Sequence, residues 1–228
     1  MKNLLLTALL LSLGFVGCEP RPQPTPEPAP TPHTSPTRAV TQTTAADQPF
    51  DYYLLNLSWS PEFCASHPNT ANYPECVQHM RFILHGLWPN NNSGPFLEHC
   101  STLPGPNDPG KFSDLYPDAS LLQHEWTTHG TCSGLSPEAY FSLARAAFKS
   151  VAIPAPLTQL DHQISMPPAD ILGLFQTANP TFPADSLALT CGNNYLTAIE
   201  VCLNKSGTPT PCGPIKSCRA QTVRIPPP

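Results

Sequence analysis

Positive charge is scarce in this chain. Of 228 residues only 11 are Lys or Arg, against 16 Asp or Glu, for a net charge of −5. Beyond residue 48 the balance is 8 against 13. Such a surface cannot coat a polyanion by bulk electrostatics, so any polyanion must be gripped locally. The nine cysteines never form a CxxC pair, which argues against the common zinc-binding spacings. No two histidines stand four apart in an HExxH arrangement, the spacing that would project both from one helical face onto zinc. There is no apolar run long enough to serve as a permanent membrane span, and no internal repeat is visible.

The one apolar run is N-terminal. "MKNLLLTALLLSLGFVGC" combines a basic residue, a short apolar core and a small residue before cysteine, the pattern of an export signal over residues 1–18. Its end, "GFVGC", resembles a bacterial lipobox, which makes Cys18 the candidate lipidation site. Phe15 stands where Leu is usual, so cleavage by the ordinary signal peptidase is the alternative. Residues 19–48 are rich in Pro, Thr, Ala and Gln and read as a disordered tether with almost nothing apolar to bury. His33 lies in it and reads as inert. Residues 49–228 then form one domain, long enough for a real core.

Within that domain lie Cys64, Cys76, Cys100, Cys132, Cys191, Cys202, Cys212 and Cys218. An even set behind an export signal reads as four disulfides formed in an oxidising compartment. The location implied is extracytoplasmic: a periplasmic or cell-surface lipoprotein, or a secreted protein. Sequence patterns do not give the pairing.

Asp51–Trp59 reads as a buried strand broken by Pro61, and Met80–His85 as a second strand ended by Gly86 and Pro89. Residues 90–110 read as a long loop. "SPEAYFSLARAAFKS" reads as a helix with Ser136 as N-cap and Pro137 in its first turn, and Pro168–Ala178 as a shorter one. "LALTC" and "YLTAIEVCLN" read as strands paired antiparallel across Gly192–Asn194. Helices and strands do not alternate regularly, so the fold class is α+β.

Two short stretches carry the chemistry. "HEWTTHGTC" (His124–Cys132) holds His124 and His129 five residues apart, roughly 140° out of register on a helix. Glu125 and His129, at i and i+4, can meet, and a carboxylate beside an imidazole suits proton transfer better than metal binding. "FILHGLWPN" places His85 at a strand end, where a rigid scaffold can present a reactive group. Trp88 follows it, able to stack on a flat ligand.

Taken together, "HGLWP" followed by "HEWTTHGTC" resembles the two active-site signatures of the ribonuclease T2 family, the acid, base-nonspecific ribonucleases. The surrounding "LLNLSWSPEFC", "SPEAYFSLA" and "LTCGNNYLTAIEVCLN" extend the resemblance over residues 50–220. It implies a central antiparallel sheet flanked by helices and stapled by disulfides. It also implies endonucleolytic cleavage of single-stranded RNA by attack of the ribose 2′-OH on phosphorus, leaving a 2′,3′-cyclic phosphate. His129 maps to the general base, His85 to the general acid, His124 to phosphate binding and Glu125 to support of the base and transition state. Trp88 and Asn90 map to base binding, and Asn90 stands where Asp is frequent. The implied disulfides are Cys64–Cys76, Cys100–Cys132, Cys191–Cys218 and Cys202–Cys212. No cofactor, no metal, no DNA cleavage and a monomeric state are implied; a membrane enters only through a lipid on Cys18.

One position departs from the pattern. Thr128 stands where the family usually has Lys, and losing a preorganised charge there could cost on the order of 10²–10³ in rate. Arg81 is a candidate substitute. The alternative function is therefore a weakened relative that acts by binding RNA or a partner. Trp126 reads as core, Phe112 and Tyr116 as core or base-site lining, and His67, His79, His99 and His162 as structural or solvated.

Overall fold

The computed structural model describes residues 50–228 apart from 117 and 214. The leader, the Pro-rich segment and Cys18 lie outside the described residues.

The chain enters through β1 (Tyr52–Trp59), whose alternate residues Tyr53, Leu55, Leu57 and Trp59 are fully buried in the main core. Tyr52 and Leu54 face the other side and form a smaller apolar cluster with Cys202. Pro61 does not simply break the strand: it opens α1 (Ser60–Ser66) in a first turn that needs no backbone donor. A short α2 (Pro74–Val77) is held to α1 by Cys64–Cys76. β2 runs from Phe82 to Asn90, four residues past the glycine expected to end it. It is an edge strand of the sheet, and an edge accommodates Pro89, which has no N–H to give a further neighbour.

A long connection leads to α3 (Ala119–Thr128), where Asp118 caps the start by accepting from Ser120 N–H. A 3₁₀ turn over Gly130–Cys132 follows. α4 (Pro137–Ser150) is capped by Ser136, which accepts from Ala139 N–H, and buries Tyr140, Phe141, Ala144 and Ala147. The remaining elements are α5 (Ala155–Thr158), β3 (Ile164–Met166), α6 (Pro168–Ala178), β4 (Leu187–Gly192), β5 (Tyr195–Leu203) and β6 (Val223–Ile225). The β4–β5 turn is made by Asn193 and Asn194, both at positive φ, a conformation asparagine tolerates better than most residues.

Six strands form one sheet in the order β2-β1-β5-β6-β3, with β4 also on β5. The α+β architecture, a sheet flanked by helices, is as expected from the sequence. The sheet is not wholly antiparallel, because β6 meets β5 in a parallel pairing at Tyr195 and Arg224. Disulfides join Cys64–Cys76, Cys100–Cys132, Cys191–Cys218 and Cys202–Cys212. Among the described residues no helix is long and apolar enough to cross a membrane.

Candidate active site

The site begins with an irregularity in β2. Asn56 pairs with Gly86 but the next residue, Leu57, pairs with Leu84, so His85 is an extra residue, a β-bulge. Leu84 and Leu87 both lie in the main core, while His85 and Trp88 share the opposite face, their rings 5.5 Å apart edge to face. Trp88 is thus part of the sheet rather than of a loop. Its indole Nε1 donates to Glu125 Oε2 at 2.8 Å. Gly86 lies beneath that bond: a Cβ there would overlap Glu125 Oε2 and Trp88 Nε1 and reach 2.8 Å from Glu125 Cδ. The glycine is required by close approach, not by φ.

α3 supplies the other half. Glu125 is fully buried and Thr128 nearly so, while His124 is exposed. His129 is the C-cap, with φ −114° and ψ −46°, and the chain turns there into the 3₁₀ segment. Regular helical spacing therefore fails at the last step. His124 and His129, which the sequence places on different sides of a helix, have ring centroids 6.2 Å apart. Glu125 does not pair with His129 through a hydrogen bond either. One oxygen accepts from Trp88 and the other, without a hydrogen-bond partner, lies 3.6 Å from His85 Nε2. The Trp88 ring also contacts that of His129, at 5.2 Å between centroids.

Burial sets the electrostatics. It pushes the Glu125 carboxyl up to about 8, against the opposing pull of the Trp88 hydrogen bond. His129 is pushed down to about 4, first by burial and then by the charges of His124 and His85, with the Leu97 backbone opposing and His99 adding a smaller push. His85 is also lowered, by the protein packed around it and then by His124. An ionised Glu125 at 3.6 Å would favour a charged His85; a neutral carboxyl withholds that support. Potential ligand atoms of His124, Glu125 and His129 all lie within 4.8 Å of one another. Atoms that share a zinc at 2.0–2.1 Å sit no more than about 4.2 Å apart, so this cluster would have to contract to hold one.

Thr128 Oγ1 lies 3.4 Å from His124 Nδ1. Arg81 is committed elsewhere, its Nη2 donating to the Leu160 carbonyl at 3.1 Å. Trp126 is fully buried and donates to the Leu103 carbonyl, and Phe112 and Tyr116 are core residues. His99 is exposed and structural, in keeping with the sequence reading. Held at positive φ, its N–H donates to the Thr128 carbonyl at 2.7 Å, and it sits close enough to depress His129.

Two cavities flank the histidines. One, about 410 Å³, opens beside His129 and is lined by Trp88, Asn90, Phe96, Glu200 and Lys216. The other, about 250 Å³, opens beside His85 and His124 and is lined by Tyr73, Glu75 and Asp118. Phe96 and Tyr73, both exposed, give each cavity an aromatic rim. Phe96, Glu200 and Lys216 were not singled out from the sequence. They come from three distant segments, and an exposed aromatic after Pro95 was the only local signal.

The ribonuclease T2 family model matches residues 50–212. The chain belongs to the ribonuclease T2 family. A ribonuclease of Aeromonas hydrophila is 34% identical over 163 residues, covering 70% of this chain and 74% of that one. Among solved structures, an RNase-related protein from Calystegia sepium aligns with a TM-score of 0.63 at 22% identity, over 78% of this chain and 97% of its own. A variant of ribonuclease MC1 in complex with 5′-UMP aligns with a TM-score of 0.62 at 24% identity, over 76% and 97%. This T2 ribonuclease thus shares its fold with those structures and its family with the bacterial enzyme.

Proposed function

We propose that this T2-type endoribonuclease cleaves single-stranded RNA by transphosphorylation, with His129 as general base and His85 as general acid. The observation that carries the reading is the placement of both imidazoles about one Trp88–Glu125 pair, with His129 held neutral above about pH 4. His129 takes the 2′-OH proton; the 2′-oxygen attacks phosphorus; the bond to the 5′-oxygen breaks; and His85 delivers its proton to that leaving oxygen. One proton enters the enzyme and one leaves, so the pair ends in the reversed state and must exchange protons with water. His129 must be neutral and His85 charged, and both are lowered, so the working range lies on the acid side of neutrality.

Glu125 is neutral below about pH 8 and therefore does not repel the phosphate that must settle beside it. His124, exposed at the same cleft, binds the phosphate. Thr128 contributes at most a hydrogen bond. The family membership and the ribonuclease relatives favour an enzyme over a module that only binds.

The cavities give the strand a direction. The base whose ribose supplies the 2′-OH belongs beside His129, in the Trp88–Asn90 cavity, and the base of the leaving nucleotide beside His85, in the Tyr73 cavity. Both require unstacked bases, which is why a single strand is the substrate. The nucleotide complex of ribonuclease MC1 supports a nucleotide site on this fold. Residues 1–18 and Cys18 serve, in this reading, to export the enzyme and tether it to a membrane through the Pro-rich segment. Retention of the wild type but not Cys18→Ser in the membrane fraction tests it.

The deciding experiment uses an otherwise deoxyribose strand with one ribose, EDTA present, from pH 4 to 8, and reads the ends by mass spectrometry. Cleavage only at the ribose to a cyclic phosphate, lost in His85→Ala and His129→Ala, is the expected result. Cleavage by Thr128→Lys but not by the wild type would mean a protein that has given up catalysis. Loss of activity in EDTA would point to the metal chemistry that the loose cluster argues against.

A further inference from the structure

The reading of the Trp88 cavity as a base site leaves one buried group without a task. Glu200 on β5 pairs with Asn56 on β1, which in turn pairs with Gly86 on β2, so the three form a row across the sheet toward Glu125. Glu200 lines the cavity although only 8% of it is exposed. Asn56 Nδ2 donates to its Oε1 at 3.2 Å. The side-chain amide oxygen of Asn56 and the Tyr52 hydroxyl, both buried nearby, have no partner. A carboxyl kept at this depth carries a desolvation cost. The bond to Asn56 does not explain it, because a glutamine would accept that bond equally well.

We propose that Glu200 reads the base seated in the Trp88 cavity by accepting hydrogen bonds from its edge, and so favours guanine on the 5′ side of the cut. The inference rests on the base-site reading above. Guanine is the base that offers two adjacent donors, N1–H and the N2 amine, to one acceptor. Adenine sets the N1 lone pair beside its amine, cytosine sets N3 beside its amine, and the N3–H of uracil is flanked by two carbonyls. Each of these brings a lone pair toward the carboxylate. Lys216, exposed on the wall of the same cavity, donates to guanine O6, where adenine carries an amine that repels it.

The discrimination needs an ionised carboxyl, since a neutral one donates as well as accepts. Burial raises Glu200 above the ordinary glutamate range, with the Asn56 bond opposing. The groups around it are Tyr52 at the start of β1, Glu98 in the loop after β2, His129 at the end of α3, and Lys216 beyond β5. His129 is already neutral above about pH 4, so the guanine preference grows with pH as Glu200 ionises.

The test uses the full chain, with two readouts. The first is kcat/KM on GpU, ApU, CpU and UpU at pH 5 and pH 8. The second is the affinity for 2′-GMP and 2′-AMP, followed by tryptophan fluorescence. The wild type is expected to prefer GpU at pH 8, more than at pH 5. Glu200→Gln reduces the GpU/ApU ratio about tenfold or more, the scale of a good bidentate base contact, and weakens 2′-GMP while sparing 2′-AMP. Lys216→Met, at an exposed position where folding is not at stake, reduces the same ratio less. A wild type that cuts RNA without guanine preference overturns the inference and leaves the ribonuclease mechanism standing. A Glu200→Gln protein with both readouts unchanged overturns it too. A wild type that cuts no RNA but binds 2′-GMP through Glu200 would do the reverse, sinking the mechanism and sustaining the inference.

Discussion

Replacing Glu125 by Gln changes the titration of the site and almost nothing of its shape. The Gln carbonyl can still accept from Trp88 Nε1, as Glu125 Oε2 does at 2.8 Å, and the side chain keeps its place above Gly86. The carboxyl moves from an ordinary value of 4.5 to about 8 on folding, chiefly through burial. At 1.36 kcal/mol per unit this corresponds to roughly 5 kcal/mol. The folded state prefers the protonated form, so below about pH 4.5 the carboxyl is neutral whether folded or not and no penalty exists. The penalty grows as the pH rises from there and is complete above about 8. Glutamine has no such term. For a domain of this size 1 kcal/mol moves Tm by about 2–4 °C, so Glu125→Gln should gain on the order of 10 °C over the wild type at pH 8 and little at pH 4. His129 slopes the other way, costing stability as the pH is lowered from its ordinary 6.5 toward about 4, but both proteins carry it and it cancels in the difference. The assay is a pair of Tm-versus-pH curves from 4 to 8, with kcat/KM at pH 5 alongside. At that pH the variant should stay within about tenfold of the wild type, because both are neutral at this position. Parallel Tm curves would refute the reasoning and show that Glu125 is ionised in the folded protein.

Two further substitutions test the framework around that carboxyl. Gly86→Ala should drive the new methyl into Glu125 and Trp88, cost about 1–3 kcal/mol of stability and lower kcat/KM on the order of a hundredfold, with a changed near-ultraviolet tryptophan spectrum. An unchanged spectrum and rate would show that the strand can yield. Converting Cys100 and Cys132 to Ser frees the loop carrying Phe96 to His99 from the 3₁₀ turn after His129. Closing a loop of this length contributes about 4 kcal/mol, so Tm should fall by on the order of 10 °C. KM should rise more than kcat falls, because the loop walls the base cavity.

What the sequence revealed depended on how local the signal was. β1, α4 and the β4–β5 hairpin carry their own instructions in alternating apolar residues, a Ser-Pro cap and an Asn-Asn turn, and the structure has them. β2 was cut short because Gly86 and Pro89 resemble strand breakers. At a sheet edge a proline is tolerated, and here the glycine clears space for a carboxyl from another element, which no local pattern encodes. The separation expected for His124 and His129 assumed an ideal helix up to residue 129, whereas the helix ends there. Nothing in the sequence could put His99 beside His129, because its place is set by a backbone bond to Thr128. Glu200 and Lys216 could not be joined to Trp88 before the sheet was assembled, since 112 positions of chain separate Trp88 from Glu200.

The single unpaired residue in β2 has a bearing on how such motifs can vary. A strand alternates with period two, so residues three apart ordinarily face opposite ways. The bulge resets that phase between Leu84 and Leu87 and between His85 and Trp88, letting one five-residue word address the core and the cleft at once. Deleting His85 would let the ladder close without a break, with Leu84 still opposite Leu57 and Gly86 opposite Asn56. Trp88 would keep Leu54 as its partner and stay on the cleft side, and only the imidazole would be lost. The extra residue is thus dispensable to the sheet and indispensable to the site.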